Sequence, residues 1–324
     1  MAISPDPAAP SEALSQRYRQ AHGAAASRAA GPKPSHSLAA SRNDTIATTI
    51  HWAIRPLAPE RDRHYDLRAR PYTRRMSRAL PFLLSADPGA PFPPAEQALR
   101  EPDGLLAIGG DLSVPRLLNA YAHGVFPWFS DGQPLLWWSP DPRMVFRTDG
   151  VRLSSRFRRQ LRTSTWTVRA DTAFEHVIAA CAAIPRAGQD GTWITRHMQQ
   201  AYIRLHQLGH AHSLEVFDGA HLVGGIYGVA IGQMFFGESM FSARSGGSKV
   251  ALAALAADLH ARGWPLLDAQ VENPHLLSLG AQRLPRTEFL RYVQHQVAQP
   301  EPAGSWSARY GERLARELCE VCLT

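Results

Sequence analysis

The sequence predicts an α/β (α+β) protein, with a small N-terminal α/β module followed by a larger domain built on a mainly antiparallel sheet. Three observations predict it. Segments of helical periodicity alternate with short apolar runs between residues 154 and 296. Gly219 and Gly232 bracket strand-like text at hairpin spacing. A chain of 324 residues, 44% apolar and 19% charged, is long enough for two ordinary cores.

Residues 1–75 are rich in Ala, Pro, Ser and Arg and hold no sustained period of 2 or 3.6, the pattern of a segment unable to bury a core. Two readings stay open: a disordered segment, or a natural start at Met76 with the preceding residues an over-extended gene start. Turn signals crowd residues 80–144, so 76–144 is expected to form the small domain. Within it Ser113 is an N-cap candidate, Pro115 sits in the first turn and Gly124 stops the pattern, which predicts a helix over 114–123.

The larger domain is expected over 145–296. Its pattern predicts a basic helix over 154–162, a strand near 165–169, helices over 171–183 and 196–208, and a strand over 212–217. A hairpin across 221–241 follows, then a helix over 248–261, a buried strand over 265–271 and a helix over 286–296. Residues 297–324 are expected to form a loosely attached tail.

Charge distribution limits the function classes. Of 35 basic and 28 acidic residues, 12 and 6 fall in residues 1–75, which leaves the rest within one charge of neutral. Any polyanion site in the body must therefore be a local patch. The densest is "SSRFRRQLR", where Arg156, Arg158, Arg159 and Arg162 form either a solvated face or a phosphate-backbone contact. No apolar run approaches the ~20 residues of a membrane span, and no secretory signal pattern opens the chain. Cys181, Cys319 and Cys322 cannot all pair, which fits a reducing cytoplasm.

The chemistry-bearing signals centre on Glu238, a carboxylate inside the apolar stretch "MFFGESMF". A lone buried carboxylate costs several kcal/mol unless cations or donors meet it. In "LLDAQVEN", Asp268 and Gln270 flank Ala269 and share one face of a strand; if that face meets Glu238, two carboxylates and an amide converge, a site for an amine-bearing ligand. "RSGGSK" (Arg244–Lys249) reads as an N-cap or an anion cradle. It is not a Walker loop, and Lys249 occupies the place where an acetyl-CoA loop needs a small residue. Trp128, Trp137, Trp138 and Trp193 lie in Gly/Pro-flanked loops and read as packing residues or base-stacking platforms. His206, His210 and His212 lack metal-ligand spacing, and Cys319/Cys322 make one isolated C-x-x-C, so no metal is expected.

"EPDGLLAIGGDLSVPRLLNAYAHGVFPWF", "LLWWSPDPR", "GTWITR", "AYIRLHQLGHAHSLEV", "LVGGIYGVAIGQMFFGESMFS" and "DAQVENPHLLSLGA" occur in this order across residues 92–290. On these strings the chain resembles the leucyl/phenylalanyl-tRNA–protein transferases. The resemblance implies a small α/β domain joined to an acetyltransferase-like (GNAT) fold. It also implies transfer of leucine, phenylalanine or, less well, methionine from charged tRNA to proteins beginning with Arg or Lys, marking them for the N-degron pathway. It implies no cofactor, no membrane and a monomer. It places Glu238, Asp268 and Gln270 at the reaction centre and the terminal adenosine against Trp128 and Trp193. The aminoacyl side chain falls to Ile226, Met240, Phe241, Leu255 and Leu259, although Leu255 and Leu259 stand where aromatic residues are common in the family. Rival readings are a CoA-dependent N-acyltransferase, opposed by Lys249, and a silent tRNA-binding module, opposed by the intact Glu238, Asp268 and Gln270.

Overall fold

The computed structural model describes residues 80–184 and 192–321, with side chains through Cys319. Every described residue belongs to one compact unit. The expectations for residues 1–75, and Cys322, lie outside the described residues.

The first sheet has four strands: β1 (Phe82–Leu83), β2 (Leu105–Ile108), β3 (Phe126–Pro127) and β4 (Leu136–Trp138), in the order β1-β2-β4-β3. Helix α1 (Val114–Ala122) packs beside it. Ser113 takes the N-cap position without a side-chain capping bond, Pro115 sits in the first turn, and Gly124 leaves the helix at φ 70°. Trp137 and Trp138 are core residues of this sheet, their indole N–H groups donating to the carbonyls of Gly109 and Trp128. Packing therefore accounts for both rings.

The second sheet has eight strands in the order β11-β5-β10-β9-β8-β7-β6-β12. They are β5 (Arg143–Arg147), β6 (Thr167–Ala170), β7 (Ala211–Asp218), β8 (His221–Ile231), β9 (Met234–Ser242), β10 (Leu266–Gln270), β11 (Gln282–Leu284) and β12 (Arg313–Leu314). Every pairing is antiparallel except β9 with β10. The α+β class is thus as the pattern predicts. The remaining α-helices before residue 300 are α2 (Ser155–Leu161), α3 (Phe174–Ala183), α4 (Arg196–Gln207), α5 (Gly247–Ala261), α6 (Pro274–Ser278) and α7 (Arg286–Val297), each within a few residues of its predicted bounds except α6, which the pattern missed.

Helix α5 is buried on nearly every side, from Val250 to Leu259, so it runs through the core instead of lying on it. It approaches the sheet closely because Gly224 of β8 faces Gly247: a Cβ on Gly224 would lie 2.4 Å from the Gly247 carbonyl carbon. The two faces of the large sheet support two cores. One holds Met240, Phe235 and Ile226 with α5; the other holds Phe236, Phe241 and Tyr227 with α1, α3, α4 and the first sheet.

The tail expected to be loose is docked. Trp306 is 2% exposed and stacks on His212 at 4.0 Å; its amide donates to Asp171 at 2.7 Å, and β12 adds a strand beside β6. Asp171, at φ 56°, also accepts from His212 at 2.8 Å and from the Ser213 amide. The sequence pattern fails here because a single large ring, not a periodic face, anchors the segment. Trp306→Ala is expected to cost about 3–5 kcal/mol in urea unfolding.

Candidate active site

The site starts from an irregularity in β9. Ser239 pairs with Tyr227 and Gly237 with Gly228, so Glu238 is an extra residue, a β-bulge. Phe235 and Met240, five residues apart, thereby reach the same core, which a regular strand of period 2 forbids. Beside it, β10 pairs with β9 only through Leu267↔Phe235 and Asp268↔Phe236, and β10 itself shifts register between Asp268 and Gln270. Two neighbouring strands thus both turn irregular where their parallel ladder ends. Between them lies an apolar cleft lined by Ile226, Met240, Phe146, Leu252, Leu267 and Leu276, with Glu238, Ser239 and Asp268 also on its wall.

Glu238 is 1% exposed and is met by neutral donors. The Tyr121 hydroxyl donates to Oε1 at 2.7 Å, the Tyr202 hydroxyl to Oε2 at 2.9 Å, and Gln270 Nε2 to Oε1 at 2.7 Å, while the two hydroxyls also touch each other. Hydrogen bonds to a charged group each contribute about 1.5–3 kcal/mol, which offsets part of the burial cost. Burial still dominates and pushes the Glu238 carboxyl up to about 7, with the nearby Asp268 adding in the same direction and the three donors opposing. Burial and the Glu238 charge push both phenols above their ordinary value, so they remain donors.

Asp268 is differently placed. Arg143 Nε and Nη2 donate to its two oxygens at 2.8 and 2.7 Å, with both side chains fully buried. Asp268 is thus matched by a cation of its own and does not add a second open charge for an incoming amine. Its contact with Gln270 is to the backbone: Oδ1 accepts from the Gln270 amide at 2.9 Å, while the Gln270 side chain bonds Glu238.

The aminoacyl-pocket residues separate. Ile226 and Met240 line the cleft. Phe241 points to the opposite core, since adjacent strand residues face opposite ways; it packs beside Gly225 and Val177. Leu255 and Leu259 are buried in the same core as Met240 but lie one and two turns beyond Leu252, the α5 residue on the cleft wall. Trp128 is half-buried and touches both cores, whereas Trp193 is 5% exposed; neither is on the cleft wall. Arg156, Arg159 and Arg162 are exposed on or beside α2 and Arg158 is half-buried, so the basic face is a surface feature. Sequence reasoning missed Tyr121, Tyr202 and Arg143. Each sits at an apolar-looking position, and its partner is 36 to 125 residues away.

The family model described as leucyl/phenylalanyl-tRNA protein transferase matches residues 145–294, and that of the leucyl/phenylalanyl-tRNA protein transferase N-terminal domain matches residues 110–141. Three relatives each carry the name leucyl/phenylalanyl-tRNA–protein transferase. The protein from Xanthomonas axonopodis pv. citri (strain 306) is 80% identical over 249 residues, 77% of this chain and 100% of the relative. That from Xanthomonas euvesicatoria pv. vesicatoria (strain 85-10) is 80% identical over 244 residues, 75% and 98% of the two chains. That from Xylella fastidiosa (strain 9a5c) is 66% identical over 238 residues, 74% and 98%.

The raised Glu238 carboxyl sets a pH signature. Its folded value, about 7, exceeds the ordinary 4.5, so the folded state holds a proton that the unfolded chain releases in between. The stabilising contribution is complete below about pH 4.5 and is lost as pH rises through 7. The difference in unfolding free energy between wild type and Glu238→Gln should therefore fall by ~1.4 kcal/mol per pH unit across that window and be flat outside it, as read by urea titrations. Taking the difference cancels Glu215, also raised to about 7 by burial.

Proposed function

With the chain a member of the leucyl/phenylalanyl-tRNA–protein transferase family, an aminoacyltransferase acting from tRNA onto protein, we propose that it transfers leucine, phenylalanine and, less well, methionine to proteins beginning with Arg or Lys, in the cytoplasm and as a step toward N-degron proteolysis. The observation that carries this reading is an apolar cleft beside a buried carboxylate poised near neutrality. An unbranched or γ-branched side chain suits walls of Ile226, Met240, Leu252, Leu267 and Leu276. One methylene in such a cleft changes binding by about 1–3 kcal/mol, which favours a graded preference over strict selection.

The aminoacyl ester of tRNA is already activated, so the chain has to orient two substrates and remove a proton. The acceptor's α-amine attacks the ester carbonyl carbon, a C–N bond forms, the C–O bond to the ribose breaks, and the amine's proton reaches the leaving hydroxyl. In this reading Gln270, held by its Nε2 on Glu238, accepts from the attacking amine through Oε1. Glu238 takes the one proton that the acceptor's α-ammonium must shed before it can attack, since a base with a value near the working pH exchanges protons most effectively. Asp268 acts from behind Gln270. Trp128 and Trp193 remain the proposed contacts of the terminal adenosine, and the α2 arginines those of tRNA phosphates.

Transfer of labelled leucine from charged tRNA to two model proteins, one beginning with Arg and the other with Ala, without ATP or CoA, tests the reading directly. Label on the Arg protein alone is the expected outcome; equal label on both overturns the acceptor rule. Gln270→Ala should lower kcat by about 100-fold, and near-full turnover would remove Gln270 from the reaction. Arg156→Glu with Arg159→Glu should raise KM for charged tRNA and flatten its salt dependence by about two units of log–log slope, with kcat at saturating tRNA little changed.

A further inference from the structure

Arg143 is fully buried at the start of β5, a costly place for a cation. Every side of its guanidinium is held. Nε and Nη2 grip both oxygens of Asp268, Nη1 donates to the Gly124 carbonyl at 3.1 Å, and the rings of Phe126 and Phe289 cover it, with centroids 4.7 and 4.5 Å from its central carbon. A two-pronged bond of this kind fixes a carboxylate's orientation as well as its charge.

What Asp268 does with that orientation is visible one residue pair further on. The Oδ1 that takes Arg143 Nε also takes the Gln270 amide, and Gln270 stands at φ 61°, a left-handed conformation unusual for a residue with a side chain. From there the Gln270 side chain reaches Glu238. Gly124, Phe126 and Tyr121 all belong to the first sheet or the α1 turn, so the same anchor ties that sheet to the reaction centre.

We propose that Arg143 is a positioning residue for acyl transfer: it matches the Asp268 charge and, through that carboxylate, holds Gln270 in the left-handed conformation from which its amide meets Glu238. This rests on the reading of Gln270 and Glu238 given above. Among the described residues, the titratable and charged groups facing Glu238 include Tyr121 from α1, Tyr202 from α4 and Asp268 from β10, with Arg143 of β5 behind Asp268. Without Arg143, the Asp268 carboxylate is left unmatched beside Glu238 and disfavours the ionised form of Glu238 more strongly.

The test measures single-turnover leucine transfer against pH for Arg143→Met, Arg143→Lys, the double variant Arg143→Met with Asp268→Asn, and Glu238→Gln. Arg143→Met should lower kcat about 100-fold with KM for charged tRNA within about twofold, and move the acid limb of kcat upward by about one pH unit. The double variant should return the acid limb to its wild-type position while kcat stays low. Arg143→Lys keeps the charge and loses the fork, so it should leave the acid limb in place and lower kcat about tenfold; it carries the test if Arg143→Met does not fold, as judged by its thermal melt. Wild-type kcat in Arg143→Lys, or an unmoved acid limb in a folded Arg143→Met, overturns the proposal. Full kcat in Glu238→Gln would instead overturn the base assignment, and the kcat and KM values of the Arg143 variants would still decide the positioning role.

Discussion

The parallel ladder between β9 and β10 lasts only two residue pairs, and most of the site depends on where it stops. Beyond Phe236 and Asp268 the strands separate and each takes up an irregular register, which opens an apolar cleft in the middle of the sheet. A regular strand would have sent Glu238 and Met240 to the same side. The bulge instead lets the carboxylate join the polar network while Met240 lines the cleft.

The opening would be unstable if its polar groups lacked partners, and two different solutions are used side by side. Glu238 accepts from the Tyr121 and Tyr202 hydroxyls and the Gln270 amide, and burial outweighs these bonds and raises its proton affinity. Asp268 is met by a buried cation in a bidentate bond, which leaves it matched. Two carboxylates of one cluster are thus given different electrostatic surroundings, one raised in proton affinity by burial and one paired with a cation. The first sheet takes part in both: α1 supplies Tyr121 to Glu238, and Gly124 and Phe126 hold the arginine that holds Asp268.

Much of the architecture was legible because it rests on local rules. Helices α1 through α5 and α7, the β8–β9 hairpin and the buried strand β10 follow from periodicity, capping residues and glycine turns within windows of a dozen residues. The shortest strands and α6 were not legible, since two to five residues carry no measurable period. The docked tail was hidden for another reason: Trp306 works by filling one space against His212 and Trp264, and no pattern in its own segment announces that.

The sequence by itself determined that Glu238 would need partners, that Asp268 and Gln270 would share a strand face, and that the family strings would bring all three to one centre. These are consequences of burial cost, of the two-residue period and of unusual motifs. Only the tertiary structure decided which groups answer Glu238, that Asp268 is matched by Arg143, and that Phe241, Leu255 and Leu259 stand away from the cleft wall. Those outcomes depend on contacts between residues as much as 125 positions apart and on bulges that reset which way a side chain points. Neither is encoded in local spacing, because a bulge costs one residue and leaves the composition of the strand unchanged.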